Sequence, residues 1–235
     1  DGLAGVGGSG DSRRVGGEPK GYESVENELD SNEVTDENPL STKLINATKI
    51  SGRTSGGLGV GLFNAMSANT WAKVHDTVSG ASRRILTQGF TNYNMIVLDQ
   101  NLKNNSYVDF LNTNYYMPTE GYMANVTGTA FKFANKPYTY ALYGEAFLSQ
   151  KYYSHQANEF GYRYYWSFSK ISGNFKFDME QTMQSDKYDP NDMGFNPRNK
   201  FFSNSVNLIY NFYDPFWKLL NWYNNMNNYY NTRFT

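Results

Sequence analysis

From Phe160 to Asp186 apolar and polar side chains alternate with a period of two. Phe160, Tyr162, Tyr164, Trp166 and Phe168 fall on one side, and Gly161, Arg163, Tyr165, Ser167 and Ser169 on the other. Ile171-Ser172-Gly173-Asn174 reads as a reversing turn. After it Phe175, Phe177, Met179 and Met183 share one side, and Lys176, Asp178, Glu180, Thr182 and Gln184 the other. Successive side chains of a strand point to opposite faces, so this spacing predicts a β-hairpin with one aromatic face and one charged face. Each strand has the roughly 9–11 residues of a tilted membrane-spanning strand. A hairpin of a transmembrane β-barrel fits the stretch, and so does one of a soluble β-sandwich, whose strands are usually shorter.

Similar patterning predicts about ten strands after Lys43, at roughly 43–53, 57–72, 84–100, 105–117, 123–134, 137–150, 159–171, 174–186, 200–213 and 216–232. The strand at 200–213 sets Phe202, Val206, Leu208, Tyr210 and Phe212 against Ser203, Ser205, Asn207 and Asn211. Short connections (53–57, 104–105, 135–137, 172–174, 214–215) alternate with longer ones (77–84, 118–121, 152–158, 186–200). Outer-membrane barrels pair short periplasmic turns with longer outer loops, whereas a Greek-key sandwich does not meander so regularly. The expected fold class is therefore all-β, an antiparallel transmembrane β-barrel of which ten strands are seen.

The alternation also sets direction. The first strand runs inward and the tenth outward, so the ten-strand set enters and leaves at the outer face. A closed barrel with both termini in the periplasm cannot do this. The sheet is expected to stay open, its edge strands near 43–53 and 216–232 covered by strands of a longer protein or of a partner. Residues 43–235 form the barrel segment. Residues 1–42, glycine-rich at the start and acidic from Tyr22 to Asn38, form a loop or a segment plugging the lumen, the acidic run reading as solvated.

Composition narrows the classes. Hydrophobic residues make up 39% and aromatics 17% of the 235 residues, while mean hydropathy is only −0.67. Half of each barrel strand faces a polar lumen, which gives this profile. No apolar run is long enough for a transmembrane helix. A net charge of −1 gives nucleic-acid binding no support, and the absence of cysteine excludes disulfides and thiolate metal sites.

Candidate chemistry is sparse. The two histidines, His75 and His155, lie in predicted outer loops and read as solvated rather than as metal ligands, which would have to converge. No GxSxG motif is present. Gly57-Leu58-Gly59-Val60-Gly61 leads into a strand rather than a helix, so it suits close approach of a lumen element or strand curvature better than a phosphate cradle. Glu145, Arg163, Lys176, Asp178 and Glu180 fall on polar faces of neighbouring strands. Acid–base chemistry between them is conceivable, and so is a porin-like eyelet, but a lumen network of opposite charges bracing the wall is the favoured reading, with Arg13 and Arg14 joining from a plug. The tyrosine pairs 115–116, 152–153, 164–165 and 229–230 read as interfacial girdles, and asparagines such as Asn224, Asn225, Asn227 and Asn228 as lumen or loop residues. No residue is assigned as catalytic, cofactor-binding or metal-ligating, and no cofactor is expected.

Four stretches carry a family resemblance: SRRVGGEP (12–19), TKLINATKISGRTSGGLGVGLFNAMSA (42–68), RRILTQGFTNYNMIVLDQNLKNNSYVDFLNT (83–113) and YDPNDMGF (188–195). They resemble the barrel portion of large Bacteroidota outer-membrane proteins that carry an N-terminal family-nine-type carbohydrate-binding domain and a C-terminal barrel of uncharacterised function. The resemblance implies an outer-membrane location in a Gram-negative bacterium. Expected contacts are outer-membrane lipid and lipopolysaccharide, with other envelope proteins or further parts of the same chain; no nucleic acid is expected. The implied role is non-enzymatic, as a channel, an anchor or a scaffold subunit of an envelope complex. The alternatives are a glycan or nutrient transport barrel linked to the carbohydrate-binding domain, and a surface enzyme. No catalytic residues come with the resemblance.

Overall fold

The structure, a computed structural model, describes residues 15–194, 196–197, 199–215 and 217–233. Arg13 and Arg14 lie outside the described residues. The chain is all-β and antiparallel. Its strands are β1 (Glu33–Glu37), β2 (Leu44–Arg53), β3 (Leu58–Ser67), β4 (Thr70–Asp76), β5 (Ser82–Gln88), β6 (Thr91–Asn101), β7 (Tyr107–Met117), β8 (Tyr122–Ala134), β9 (Tyr140–Tyr153), β10 (Glu159–Lys170), β11 (Phe175–Gln184), β12 (Phe201–Phe212) and β13 (Trp222–Thr232). Ten of them form one sheet in the order β13-β12-β11-β10-β9-β8-β7-β6-β3-β2, and β1, β4 and β5 form a second sheet.

Eight of the ten expected strands appear as single elements. The exceptions are 57–72 and 84–100, which sequence periodicity reads as continuous. The chain instead leaves the large sheet after Ser67, builds β4 and β5, and returns at Thr91, so that β3 and β6 are direct neighbours. The alternation changes phase at this break: Ala65 and Ser67 are buried in β3, but Thr70, Ala72 and Val74 are in β4. The Asn69 side chain accepts the Phe90 N–H at 2.6 Å and closes the base of the excursion. A separate small core of Val25, Ala72, Val74 and Ile85 holds it together.

The acidic stretch read as solvated contributes β1. It pairs with β4, and its carboxylates meet bases of β4 and of β5 beyond it: Glu37 binds Lys73, Asp36 lies 2.6 Å from His75, and Glu33 binds Arg83.

The large sheet does not close; β2 and β13 are its edges. Turns 54–57, 102–106, 135–139 and 171–174 lie at one end, with Asn104 and Asn105 both at positive φ as tight hairpin turns require. The strict alternation of short and long connections does not survive. Residues 118–121 are as few as those of the opposite turns, and 213–221 is longer than the dipeptide Asp214-Pro215 suggests.

The register sorts side chains cleanly. One face is packed against by residues 185–194, and its core contains Ala65, Tyr93, Leu111, Tyr115, Val126, Phe147, Tyr188 and Met193. We call it the covered face and its opposite the bare face. Arg163 pairs with Phe147 on the covered face, while Trp166 pairs with Gly144 on the bare face, as the period-two split of the hairpin requires. The tyrosine pairs put one ring on each face. Tyr164 and Tyr165 stand mid-strand rather than at an end.

Candidate functional site

Both faces are unusual in where they keep charge. Following the ladders from strand to strand puts Lys49, Arg53, Asp99, Asp109, Lys132, Glu145, Lys151, Glu159, Arg163, Lys176, Asp178 and Glu180 on the covered face. These are all the charged residues of the ten strands except Lys170, at the last position of β10. Its ammonium turns away from the bare face to donate to the carbonyls of Ser172 and Phe175 at 3.1 and 2.6 Å. The bare face instead presents Leu62, Leu98, Phe110, Phe133, Leu142, Phe168, Met179 and Leu208, each more than a third exposed. Clustered exposed apolar side chains of this kind are typical of surfaces that meet another protein or a membrane.

The five charges expected to form a bracing network do lie on one face, and part of the network is formed. Glu145, only 6% exposed, is bound by Arg163 at 2.6 Å and accepts the Tyr143 hydroxyl at 3.0 Å. Two strands away Glu180 accepts the hydroxyls of Tyr165 and Ser205, each at 3.0 Å. Ser169 donates to Asp178. Across the sheet Arg53 holds Asp99 at 2.7 Å, and Asp99 faces Asp109 directly across the β6–β7 ladder. The bonds to Glu145 and Glu180 run from base or hydroxyl to acid and hold each carboxylate through both oxygens, the pattern of a brace rather than of a reactive centre. Among the described residues no group of three or more His, Cys, Asp or Glu is placed to hold a metal. His155 sits exposed in the connection 154–158, and His75 is engaged by Asp36.

At the end of the covered face opposite the tight turns, residues 185–194 form a cap. Tyr188, Pro190 and Met193 are its buried anchors. Lys151 of β9 binds Asp189, whose N–H also donates to the Ser149 hydroxyl at 3.0 Å. Asp192 accepts the Tyr122 hydroxyl and the Lys20 ammonium, each at 2.6 Å. That ammonium lies 4.4 and 4.7 Å from the ring centres of Tyr115 and Tyr122. The segment before β1 and the segment between β11 and β12 are thus tied to one another and to the wall.

Sequence reasoning missed this cap. Tyr188 and Met193 belong to a stretch quoted for its resemblance, but no periodicity marks them as buried. The glycine run Gly57–Gly61, read as a place for a lumen element to approach, does something smaller. A Cβ at Gly59 would meet the Arg53 guanidinium at 3.0 Å. The close approach of a covering segment occurs at Gly161. The asparagines correct another reading: Asn224 and Asn228 lie on the bare face, with Asn64, Asn94, Asn114 and Asn125.

A family described as a domain of unknown function (DUF5916) matches residues 11–235. No curated protein and no solved structure matches the chain.

Proposed function

The chain belongs to the family of domains of unknown function DUF5916, and we propose that its ten-stranded sheet is part of the wall of an outer-membrane β-barrel, serving without catalysis as a capped anchor or scaffold of the cell envelope. One observation carries the reading: twelve charged side chains on the covered face of ten strands and one, folded back onto a turn, on the bare face. A basic side chain on the lipid face at mid-depth costs roughly 2–4 kcal/mol, which would clear charge from that face. A soluble sheet has no reason to keep its exposed face uncharged. The edges of β2 and β13 are paired in the membrane by further strands, because each unsatisfied backbone group costs several kcal/mol in hydrocarbon. The four quoted stretches support a Gram-negative, Bacteroidota setting.

Two measurements on the full-length protein in lipid vesicles test this. With every other tryptophan, Trp71, Trp217 and Trp222 among them, replaced by Phe, the fluorescence of Trp166 should be quenched by lipids brominated on their acyl chains; an unquenched Trp166 refutes the membrane reading. Planar bilayers should show no steady conductance while the cap is in place. An open, sugar-permeable pore would replace the scaffold with a transport barrel.

A further inference from the structure

The bare face has a polar feature that its lipid-facing role does not explain. Thr48, Asn64, Asn94, Asn114, Asn125 and Gln150 are successive cross-strand partners over β2, β3, β6, β7, β8 and β9, so they form one straight row on that face. The row is partly bonded within itself. Asn64 donates to Asn94 at 2.8 Å, Asn94 to Asn114 at 3.4 Å, and Asn125 to Gln150 at 3.2 Å. The amide group of Asn114, which accepts from Asn94, donates to no partner among the described residues.

Depth decides what can cover this row. Barrel strands rise about 3.3 Å per residue and tilt about 40°. Asn64 stands six residues from the turn end of β3, and Asn114 seven from that of β7, so both lie roughly 15–18 Å above the turn-side edge of an apolar band about 25 Å tall. They are at hydrocarbon depth, where acyl chains offer no hydrogen bonds. Lipid headgroups do not reach them, and an anionic headgroup would find no cation on this face. A protein surface must supply the missing partner of Asn114.

We propose that this surface is a second copy of the chain, packed bare face to bare face so that the two rows cross at their middle, where Asn94 of one copy meets Asn114 of the other. The inference rests on the barrel reading above. A carboxamide both donates and accepts, so an amide row is complementary to itself when turned about a two-fold axis, as an isologous contact demands. The axis falls between Asn94 and Asn114, the central pair of the row, with Leu62, Ile96 and Phe110 packing beside it.

The test uses the full-length protein in nanodiscs, counted by single-molecule photobleaching. Two copies per particle are expected. Asn94→Cys, introduced into this cysteine-free chain, should give crosslinks between copies. Asn64→Leu, Asn94→Leu and Asn114→Leu together should lower the dimer fraction at least tenfold at unchanged strand content; Asn114→Leu alone, the mildest change, should weaken it in the same direction. A single copy per particle with Trp166 still quenched by lipid overturns the self-contact and leaves the barrel reading standing. A single copy that carries a glycolipid lost on the triple substitution assigns the row to sugar headgroups, and also overturns it. An unquenched Trp166 overturns both.

Discussion

Gly161 lies directly beneath the peptide that joins Lys187 to Tyr188. A Cβ on Gly161 would stand 2.2 Å from both the Lys187 carbonyl carbon and the Tyr188 nitrogen. No side chain larger than hydrogen fits between wall and cap, so the cap's position is written into β10. Gly161→Val should lift residues 185–194, at a cost of about 1–3 kcal/mol typical of overpacking. Faster proteolysis within 186–194, with the strands still protected, is the expected readout. If the cap blocks a pore, this variant alone should conduct.

Arg163 and Glu145 test the brace. Arg163→Met leaves Glu145 buried without its counter-charge and should destabilise the wall by roughly 3–5 kcal/mol. Adding Glu145→Gln should restore much of that loss, because the penalty comes from the orphaned carboxylate. Denaturant midpoints of the two single variants and the double variant give the coupling directly.

Trp166 and Ser167 are adjacent in sequence but sit on opposite faces. Trp166→Arg should lower stability in lipid by about 2–4 kcal/mol. Ser167→Arg, on the polar side, should cost far less. Equal losses would contradict the assignment of faces.

Acid should loosen the small sheet first. The Arg83 side chain and the Asp30 N–H bind the Glu33 carboxylate and hold its pKa at about 2, below the usual 4.5. Asp76 is lowered too, by the N–H groups of Ser79 and Val78. A lowered carboxylate stabilises the folded form above its unfolded pKa, and that contribution fades as pH falls from about 4.5 towards 2. Amide exchange in β1, β4 and β5 should quicken over that window. Arg83→Gln should raise the Glu33 pKa and flatten the response.

Sidedness follows from where the cap and the small sheet lie, at the end opposite the tight turns. His155→Cys should react with an impermeant thiol reagent on intact cells, and Ser172→Cys should react only after the outer membrane is broken. The reverse pattern would invert the topology.

The hairpin of β10 and β11 was legible because each residue on it obeys one rule, period two, and Gly173 at φ 90° marks the turn. The same rule misled at Ala68–Asn69. Periodicity reports that residues alternate, not which sheet they alternate in, and β3 and β4 differ only by a one-residue phase slip. β1 was hidden because its residues are polar on both sides, its stability coming from Lys73, His75 and Arg83 of other strands. The cap was illegible for a related reason: Tyr188 and Met193 are buried by long-range contact with the wall, and nothing local marks them. The bracing charges were legible in part. Their common face could be read from alternation, but the partner of each could not, since pairing depends on the register between strands. The asparagine row needed that register too, for its members lie on six strands.

Apart from the excursion at 68–90, each neighbour in the large sheet is also the next strand in the chain. Up to β11, assembly therefore needs no distant segments to meet: each of these hairpins closes a loop of four or five residues, which takes microseconds, and presents a finished rim to the strand that follows, whereas β12 and β13 join across the longer stretches 185–200 and 213–221. The wall can grow one strand at a time from β2 towards β13. The cap, which touches β8 and β9 but is reached only after β11, is then added to a surface already built. A chain stalled before residue 185 would be an ordered but unsealed wall, so the order of the strands sets the order in which the covered face is shut off from water.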